Sequence, residues 1–119
     1  MSARPSHILV IEDEPELRAF LTRVMRAHGY TVDAVATGQQ GLDTIAARGA
    51  SLVLLDIGLP DTDGFEVARR LAGLDSPPMV VLTSSRDRSA YRTRLAGSPV
   101  RGFLPKGELS AAALTGLIG

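Results

Sequence analysis

The chain has 119 residues, a length that fits one domain, and its 45% hydrophobic and 22% charged content is ordinary for a globular protein. A formal net charge of zero gives no global attraction to nucleic acid, and the absence of cysteine excludes disulfides and cysteine-based zinc sites. No secretory signal or apolar run of membrane-spanning length is visible, so we expect a cytoplasmic protein with no membrane contact and no direct nucleic-acid binding.

The first predicted elements are a strand, a helix and a second strand. The apolar run 8–11 indicates a strand buried on both faces, and it leads directly into Glu12 and Asp13. A helix is expected to begin at Glu14-Pro15, with proline in its first turn, and to stop before Gly29. The segment 31–36 alternates in polarity, which favours a strand near the edge of a sheet.

Capping residues mark the next two helices. Thr37 followed by Gln40 forms a capping box for the second helix. Asp63 followed by Glu66 gives a similar start for the third helix, which glycine ends at position 73.

Three more strands are predicted, each followed by a polar residue that could carry chemistry. They are 52–55 before Asp56, 79–82 before Thr83, and 100–104 before Lys106, the single lysine of the chain. Two further helices are expected at 87–96 and 109–118, of which the first has few apolar positions. An arginine cluster surrounds this helix, and we interpret it as a solvated helix face or as a contact for a partner. It consists of Arg86, Arg88, Arg92 and Arg94.

Alternation of strands and helices predicts a single α/β domain over residues 1–119, with a parallel sheet and right-handed crossovers. The carboxyl ends of parallel strands lie at one edge of the sheet, where open α/β folds place their ligands. We therefore expect one site built from Glu12, Asp13, Asp56, Thr83 and Lys106.

Three clustered carboxylates repel one another, and a dication relieves that repulsion. Mg²⁺ prefers hard oxygen ligands and combines one or two carboxylates with water and phosphate. We expect Asp13 and Asp56 to bind the ion directly and Glu12 to hold a water bound to it. The backbone carbonyl of Gly58 would be the remaining protein ligand.

Such a metal would orient an incoming phosphoryl group and neutralise its charge. An oxygen of Asp56 could then attack phosphorus and form an aspartyl-phosphate. Lys106 would supply a positive charge to the phosphoryl oxygens, and Thr83 a hydroxyl.

The chain resembles a receiver domain of two-component response regulators over essentially its whole length. The resembling segments are VIEDEP (10–15), LDIGLPDTDG (55–64), LTS (82–84) and GFLPK (102–106). The resemblance implies a flavodoxin-like five-stranded parallel sheet of order 2-1-3-4-5 with helices on both faces. It also implies that a histidine kinase or phosphotransfer protein delivers a phosphoryl group to Asp56.

The resemblance further implies a conformational switch. Thr83 and Phe103 would move after phosphorylation and change the surface formed by helix 4, strand 5 and helix 5, which would control an unidentified output protein or domain. A homodimer through this surface is a further option. Phe103 fits a core role equally well, and proline precedes Lys106 here where many receivers have it afterwards.

Other classes fit parts of the pattern. A receiver-like interaction domain could act without phosphorylation. A Mg²⁺-dependent phosphohydrolase also uses a strand-end Asp and a Lys, but normally has a second Asp where this chain has Gly58. A nucleic-acid-cleaving metal fold could use Glu12 with Asp61 and Asp63, but the chain has no basic surface to support it. The chain would be a stand-alone regulator or the receiver part of a longer protein.

Overall fold

The computed structural model describes residues 7–118, apart from the side chains of Leu117 and Ile118, so both ends of the predicted 1–119 domain lie outside the described residues. The five strands are β1 (His7–Ile11), β2 (Thr31–Val35), β3 (Leu52–Asp56), β4 (Met79–Ser84) and β5 (Gly102–Pro105). The helices are α1 (Pro15–Ala27), α2 (Gly38–Arg48), α3 (Gly64–Ala72), α4 (Arg92–Ala96) and α5 (Ala111–Ile118). None of the helices within residues 7–118 is long and apolar enough to cross a membrane.

All neighbouring strands pair in parallel, in the order β2-β1-β3-β4-β5. This confirms the predicted topology. The central β3 is buried along its whole length, whereas in β2 only Val32 is buried and the other positions are exposed or half-buried, in keeping with its place at the sheet edge.

Alternate residues of each strand feed two apolar clusters, one on each face of the sheet. Leu9, Val53 and Leu82 pack with the inner faces of α2 and α3. Ile8, Leu54 and Val81 pack with α1 and α5. The sheet is therefore covered by helices on both faces, as predicted.

The predicted helix starts differ in detail from the structure. The Thr37 hydroxyl accepts a hydrogen bond from the Gln40 amide at 3.1 Å, but the Gln40 side chain accepts from the Ala36 amide instead of that of Thr37. Asp63 caps α3 by accepting from the Phe65 amide at 2.7 Å. Its predicted partner Glu66 pairs with the arginines at 69 and 70, so α3 has a simple cap.

Two predictions near the C-terminal half are corrected. The helix expected over 87–96 is a 3₁₀ turn, Arg88–Tyr91, followed by the short α4. It has few apolar contacts to hold a longer helix, and Asp87 makes no side-chain cap. The strand expected over 100–104 runs instead over Gly102–Pro105.

The last helix starts two residues later than predicted. Lys106–Glu108 forms a 3₁₀ turn, and Leu109 is extended with φ −68° and ψ 123°. Ser110 then accepts a hydrogen bond from the Ala113 amide at 3.1 Å, which satisfies one of the free donors at the start of α5. Leu109 and Ser110, which the apolar pattern assigned to the helix, therefore lie between this turn and the start of α5.

Candidate functional site

The acidic residues meet at the carboxyl edge of the sheet, as their positions after β1 and β3 require. One carboxylate oxygen from each of Glu12, Asp13 and Asp56 lies within 4.8 Å of the other two. Glu12 is 1% exposed and Asp56 is 2% exposed, whereas Asp13 faces solvent. Two buried charges and one accessible charge thus share a small volume.

Lys106 reaches this cluster from the turn after β5. Its ammonium nitrogen lies 3.2 Å from Asp56 Oδ2 and 3.2 Å from both carboxylate oxygens of Glu12. The lysine side chain is 19% exposed. Lys106 is thus within ion-pairing distance of both buried carboxylates, although proline precedes the lysine instead of following it.

Backbone amides stabilise the same carboxylates. The Glu14 amide donates to Glu12 Oε2 at 3.0 Å, and the Gly58 amide donates to Asp56 Oδ1 at 3.1 Å. Glu12 Oε1 is buried and accepts no hydrogen bond from any residue of the described part of the chain, although the Lys106 ammonium is close. That oxygen can accept from a water or face a cation.

Burial dominates the electrostatics of the cluster. It raises the pKa of Glu12 to about 7, against the opposing effect of the Glu14 amide, while the charge of Asp56 adds to the rise and Lys106 counters it. Burial likewise raises the pKa of Asp56, opposed by the Gly58 amide and by Lys106. Burial disfavours charge on Lys106 as well, but the facing carboxylates more than offset this and raise its pKa.

Ser84 and Ser85 form the β4 side of the site, whereas the predicted Thr83 is not among the residues that line the cleft. Thr83 is buried and in register with Asp56 on the neighbouring strand. The next residue, Ser84, shares a hydrogen bond of 2.9 Å with the Tyr91 hydroxyl and accepts one from the Arg86 amide at 3.1 Å. A cleft of about 600 Å³ is lined by Asp13, Asp56, Lys106, Ser84, Ser85, Arg86 and Tyr91, among others.

Sequence reasoning missed the Ser84–Tyr91 pair. Tyr91 reads as an apolar position of a helix, and its contact with Ser84 depends on the 3₁₀ turn that replaces that helix. The run of three hydroxyl residues from Thr83 was the only signal for a hydroxyl-rich cleft wall.

Phe103 is 2% exposed and belongs to the apolar cluster on the α3 face. Its ring centroid lies 5.9 Å from that of Tyr91, which lies 5.8 Å from that of Phe65. The Arg88 guanidinium lies 5.5 Å from the Phe103 ring centroid and donates to the Phe103 carbonyl at 3.0 Å. In this structure Phe103 is therefore a core residue.

All four clustered arginines are exposed, in keeping with a solvated face, but two also make specific contacts. Arg88 binds Phe103 as described, and Arg94 donates to Asp63 at 2.7 Å while its guanidinium lies 4.1 Å from the Phe65 ring centroid. These contacts attach α4 and the preceding turn to α3 and β5.

Residues 8–117 match the family model of the response regulator receiver domain. The chain is 44% identical over 81 residues to the uncharacterized transcriptional regulatory protein YkoG of Bacillus subtilis, covering 68% of this chain and 36% of that protein. It is 41% identical over 91 residues to the transcriptional regulatory protein TcrA of Mycobacterium tuberculosis, covering 76% and 35%. The chain thus spans little more than a third of the length of these relatives.

Solved structures show the same fold. A response regulator receiver domain from Methylobacillus flagellatus superposes with a TM-score of 0.84 at 22% identity, covering 94% of each chain. A DNA-binding response regulator of the LuxR family from Staphylococcus aureus superposes with a TM-score of 0.85 at 23% identity, covering 95% of each chain.

Proposed function

This chain belongs to the response regulator receiver domain family, a family of signalling domains, and on that premise we propose that Asp56 accepts a phosphoryl group from a histidine kinase or phosphotransfer protein. The observation that carries the proposal is the position of Lys106, whose ammonium lies 3.2 Å from both Asp56 and Glu12. A cation held against the acceptor carboxylate can neutralise the oxygens of an incoming phosphoryl group.

The acidic cluster fits Mg²⁺. Its donors are hard carboxylate oxygens within 4.8 Å of one another, and the buried Glu12 Oε1 lacks a hydrogen-bond donor among residues 7–118. Asp13 and Asp56 would bind the ion directly, and Glu12 would hold a water bound to it. The backbone carbonyl of Gly58 would be the remaining protein ligand. When bound, the ion supplies positive charge that offsets carboxylate repulsion and the charge of the phosphoryl group.

The transfer itself needs Asp56 in its ionised form. A carboxylate oxygen forms the new bond to phosphorus, the bond from phosphorus to the donor nitrogen breaks, and its electron pair leaves with the imidazole. Burial opposes ionisation of Asp56, whereas Lys106 and the Gly58 amide favour it. Thr83, in register with Asp56, would donate its hydroxyl to the transferred group.

The phosphorylated domain would signal through the α4–β5–α5 surface. A phosphoryl group carries about −1.5 to −2 charge, and because it replaces the charge of the ionised Asp56 carboxylate, phosphorylation adds about one negative charge beside Thr83. Drawing this hydroxyl inward would alter the packing of Phe103. The relatives named above are transcriptional regulators more than twice as long as the aligned region, so we propose an output domain or partner that reads this surface. A homodimer through the same surface is a further proposal.

The decisive experiment is incubation with a small acyl phosphate, followed by intact-mass measurement. One phosphoryl group per chain is expected with Mg²⁺, and none when the divalent cation is chelated. Asp56→Asn should lose the adduct, whereas Asp43→Asn, which changes an exposed carboxylate on α2, should retain it.

The rival functions give other results. A domain acting without phosphorylation would show no adduct under any condition. A phosphohydrolase would release phosphate over many turnovers without accumulating one phosphoryl group per chain. Either result, or an adduct retained in Asp56→Asn, overturns the proposal.

A further inference from the structure

Tyr91 joins the phosphorylation cleft to the start of α4. Its hydroxyl lies in the cleft that Asp56 and Lys106 also line, 2.9 Å from Ser84 Oγ. Its backbone ends the 3₁₀ turn and immediately precedes α4, with φ −123° and ψ 16°. One side chain therefore connects the end of β4 to the helix that follows.

The ring of Tyr91 is held by aromatic residues from two other elements. Its centroid lies 5.8 Å from that of Phe65 on α3 and 5.9 Å from that of Phe103 on β5. Arg88, in the same 3₁₀ turn, donates to the Phe103 carbonyl at 3.0 Å. Because packed side chains transmit displacement, a shift of Tyr91 must be accommodated by Phe103 or Phe65.

Ser84, at the end of β4, is the residue that the Tyr91 hydroxyl contacts. It is 3% exposed, follows Thr83 directly, and its hydroxyl also accepts from the Arg86 amide at 3.1 Å. Thr83 is in register with Asp56, so a charge placed on Asp56 acts on the strand end that holds Ser84. A change in the position of that strand end alters the Tyr91 hydrogen bond first.

We infer that Tyr91 is a positioning residue whose hydrogen bond to Ser84 stabilises the unphosphorylated arrangement of the 88–91 turn, α4 and Phe103. This inference rests on the proposed function of Asp56. When a phosphoryl group attracts the hydroxyl groups at the end of β4, the Tyr91–Ser84 bond is lost, and the turn and Phe103 are released together. Phe103 has no hydroxyl, so the aromatic hydrogen bond to the end of β4 comes from Tyr91.

The inference has a reciprocal consequence. If the bond favours the unphosphorylated arrangement, removing it must favour binding of a phosphoryl mimic, by the same factor when that arrangement is the dominant one. A single net hydrogen bond corresponds to about a two- to tenfold change in an equilibrium constant. The Tyr91→Phe variant removes the hydroxyl and retains the ring between Phe65 and Phe103.

The test is titration of the Mg²⁺-loaded protein with beryllofluoride, followed by amide chemical shifts. Tyr91→Phe should bind about two- to tenfold more tightly, and its free-state amides in α4 and β5 should shift toward the positions seen in the beryllofluoride-bound unmutated protein. Tyr30→Phe is the matched control, because Tyr30 packs in the cluster on the opposite face of the sheet, and it should leave both readouts unchanged.

A double-mutant cycle identifies the partner. Ser84→Ala also removes a hydroxyl that the phosphoryl group attracts, so its own effect on mimic binding is the reference for the cycle. Tyr91→Phe should tighten binding in the unmutated background and change it much less in the Ser84→Ala background, where its partner is absent. Additive effects, or unchanged or weaker binding by Tyr91→Phe, overturn the inference while leaving the proposed function standing. Failure of the unmutated protein to bind beryllofluoride at all overturns the proposed function, and the inference with it.

Discussion

The ammonium of Lys106 lies 3.2 Å from Asp56 Oδ2 and 3.2 Å from Glu12 Oε2, so one cation serves two buried carboxylates that come from different strands. Neither carboxylate could remain ionised at this depth without a compensating charge. The lysine follows β5, at the far side of the sheet from β1, so this contact also holds three strand ends in one arrangement.

Loss of the lysine charge should destabilise the protein in a pH-dependent way. Lys106→Met retains most of the aliphatic stem but leaves two carboxylates facing each other, and we expect the free energy of unfolding to fall by about 1–3 kcal/mol at pH 8. Most of this loss should disappear at pH 5, where the carboxyls can take up protons. Urea denaturation at both pH values measures it, with Arg92→Met as the exposed control. An equal loss at both pH values would contradict the shared-cation account.

Glu12 should make the metal-free protein less stable as the pH rises. Its pKa is about 7 in the folded protein against 4.5 as the ordinary value. Between these values the folded state binds more protons than the unfolded state, so the free energy of unfolding decreases with increasing pH.

Glu12→Gln removes this titration and should lessen the decrease. The difference in the free energy of unfolding between the unmutated protein and Glu12→Gln should change by up to about 3 kcal/mol between pH 4 and pH 8. Each unit of pKa shift corresponds to about 1.4 kcal/mol. Denaturation at a series of pH values without divalent cations measures it. Parallel stability curves for the two proteins would show that Glu12 ionises normally.

Gly64 should tolerate no side chain. A Cβ atom there would lie 2.5 Å from the Asp56 carbonyl oxygen and 2.7 Å from the Ile57 Cα, and neither backbone atom can move without displacing the acceptor loop. Gly64→Ala should cost about 1–3 kcal/mol of unfolding free energy and slow phosphorylation by a small donor.

Gly116→Ala is the matched control, because a Cβ atom there has no neighbour within 4 Å among the described residues and the position lies in α5. It should be neutral or stabilising by up to about 1 kcal/mol. Chemical denaturation compares the two variants. Equal stabilities would show that the loop can relax around an added methyl group.

Much of the site could be predicted because strong local patterns fix it. The apolar runs before Glu12, Asp56 and Thr83 leave little alternative to buried parallel strands, and parallel strands bring their following residues to one edge. The strand order, however, came from resemblance to a family, since apolar runs do not specify which strands are neighbours.

The region after β4 could not be predicted in detail, because tertiary contacts decide its structure. Its apolar positions suggest one helix, but the contacts of Arg88 and Tyr91 with Phe103 and Ser84 favour a 3₁₀ turn before a short α4. Likewise, the Lys106–Glu108 turn comes before α5, and this helix starts later than the apolar pattern indicates. No periodic pattern in the sequence predicts the turn.

Chemical location of the phosphoryl group tests the central claim most directly. The protein would be phosphorylated with a small acyl phosphate and Mg²⁺, then reduced with borohydride, which converts an aspartyl-phosphate to homoserine, and peptide mass spectrometry would locate the product. Our account predicts homoserine at position 56 and at no other aspartate. Homoserine at position 13, or phosphate carried by Thr83 or Ser84 with position 56 unchanged, would contradict it.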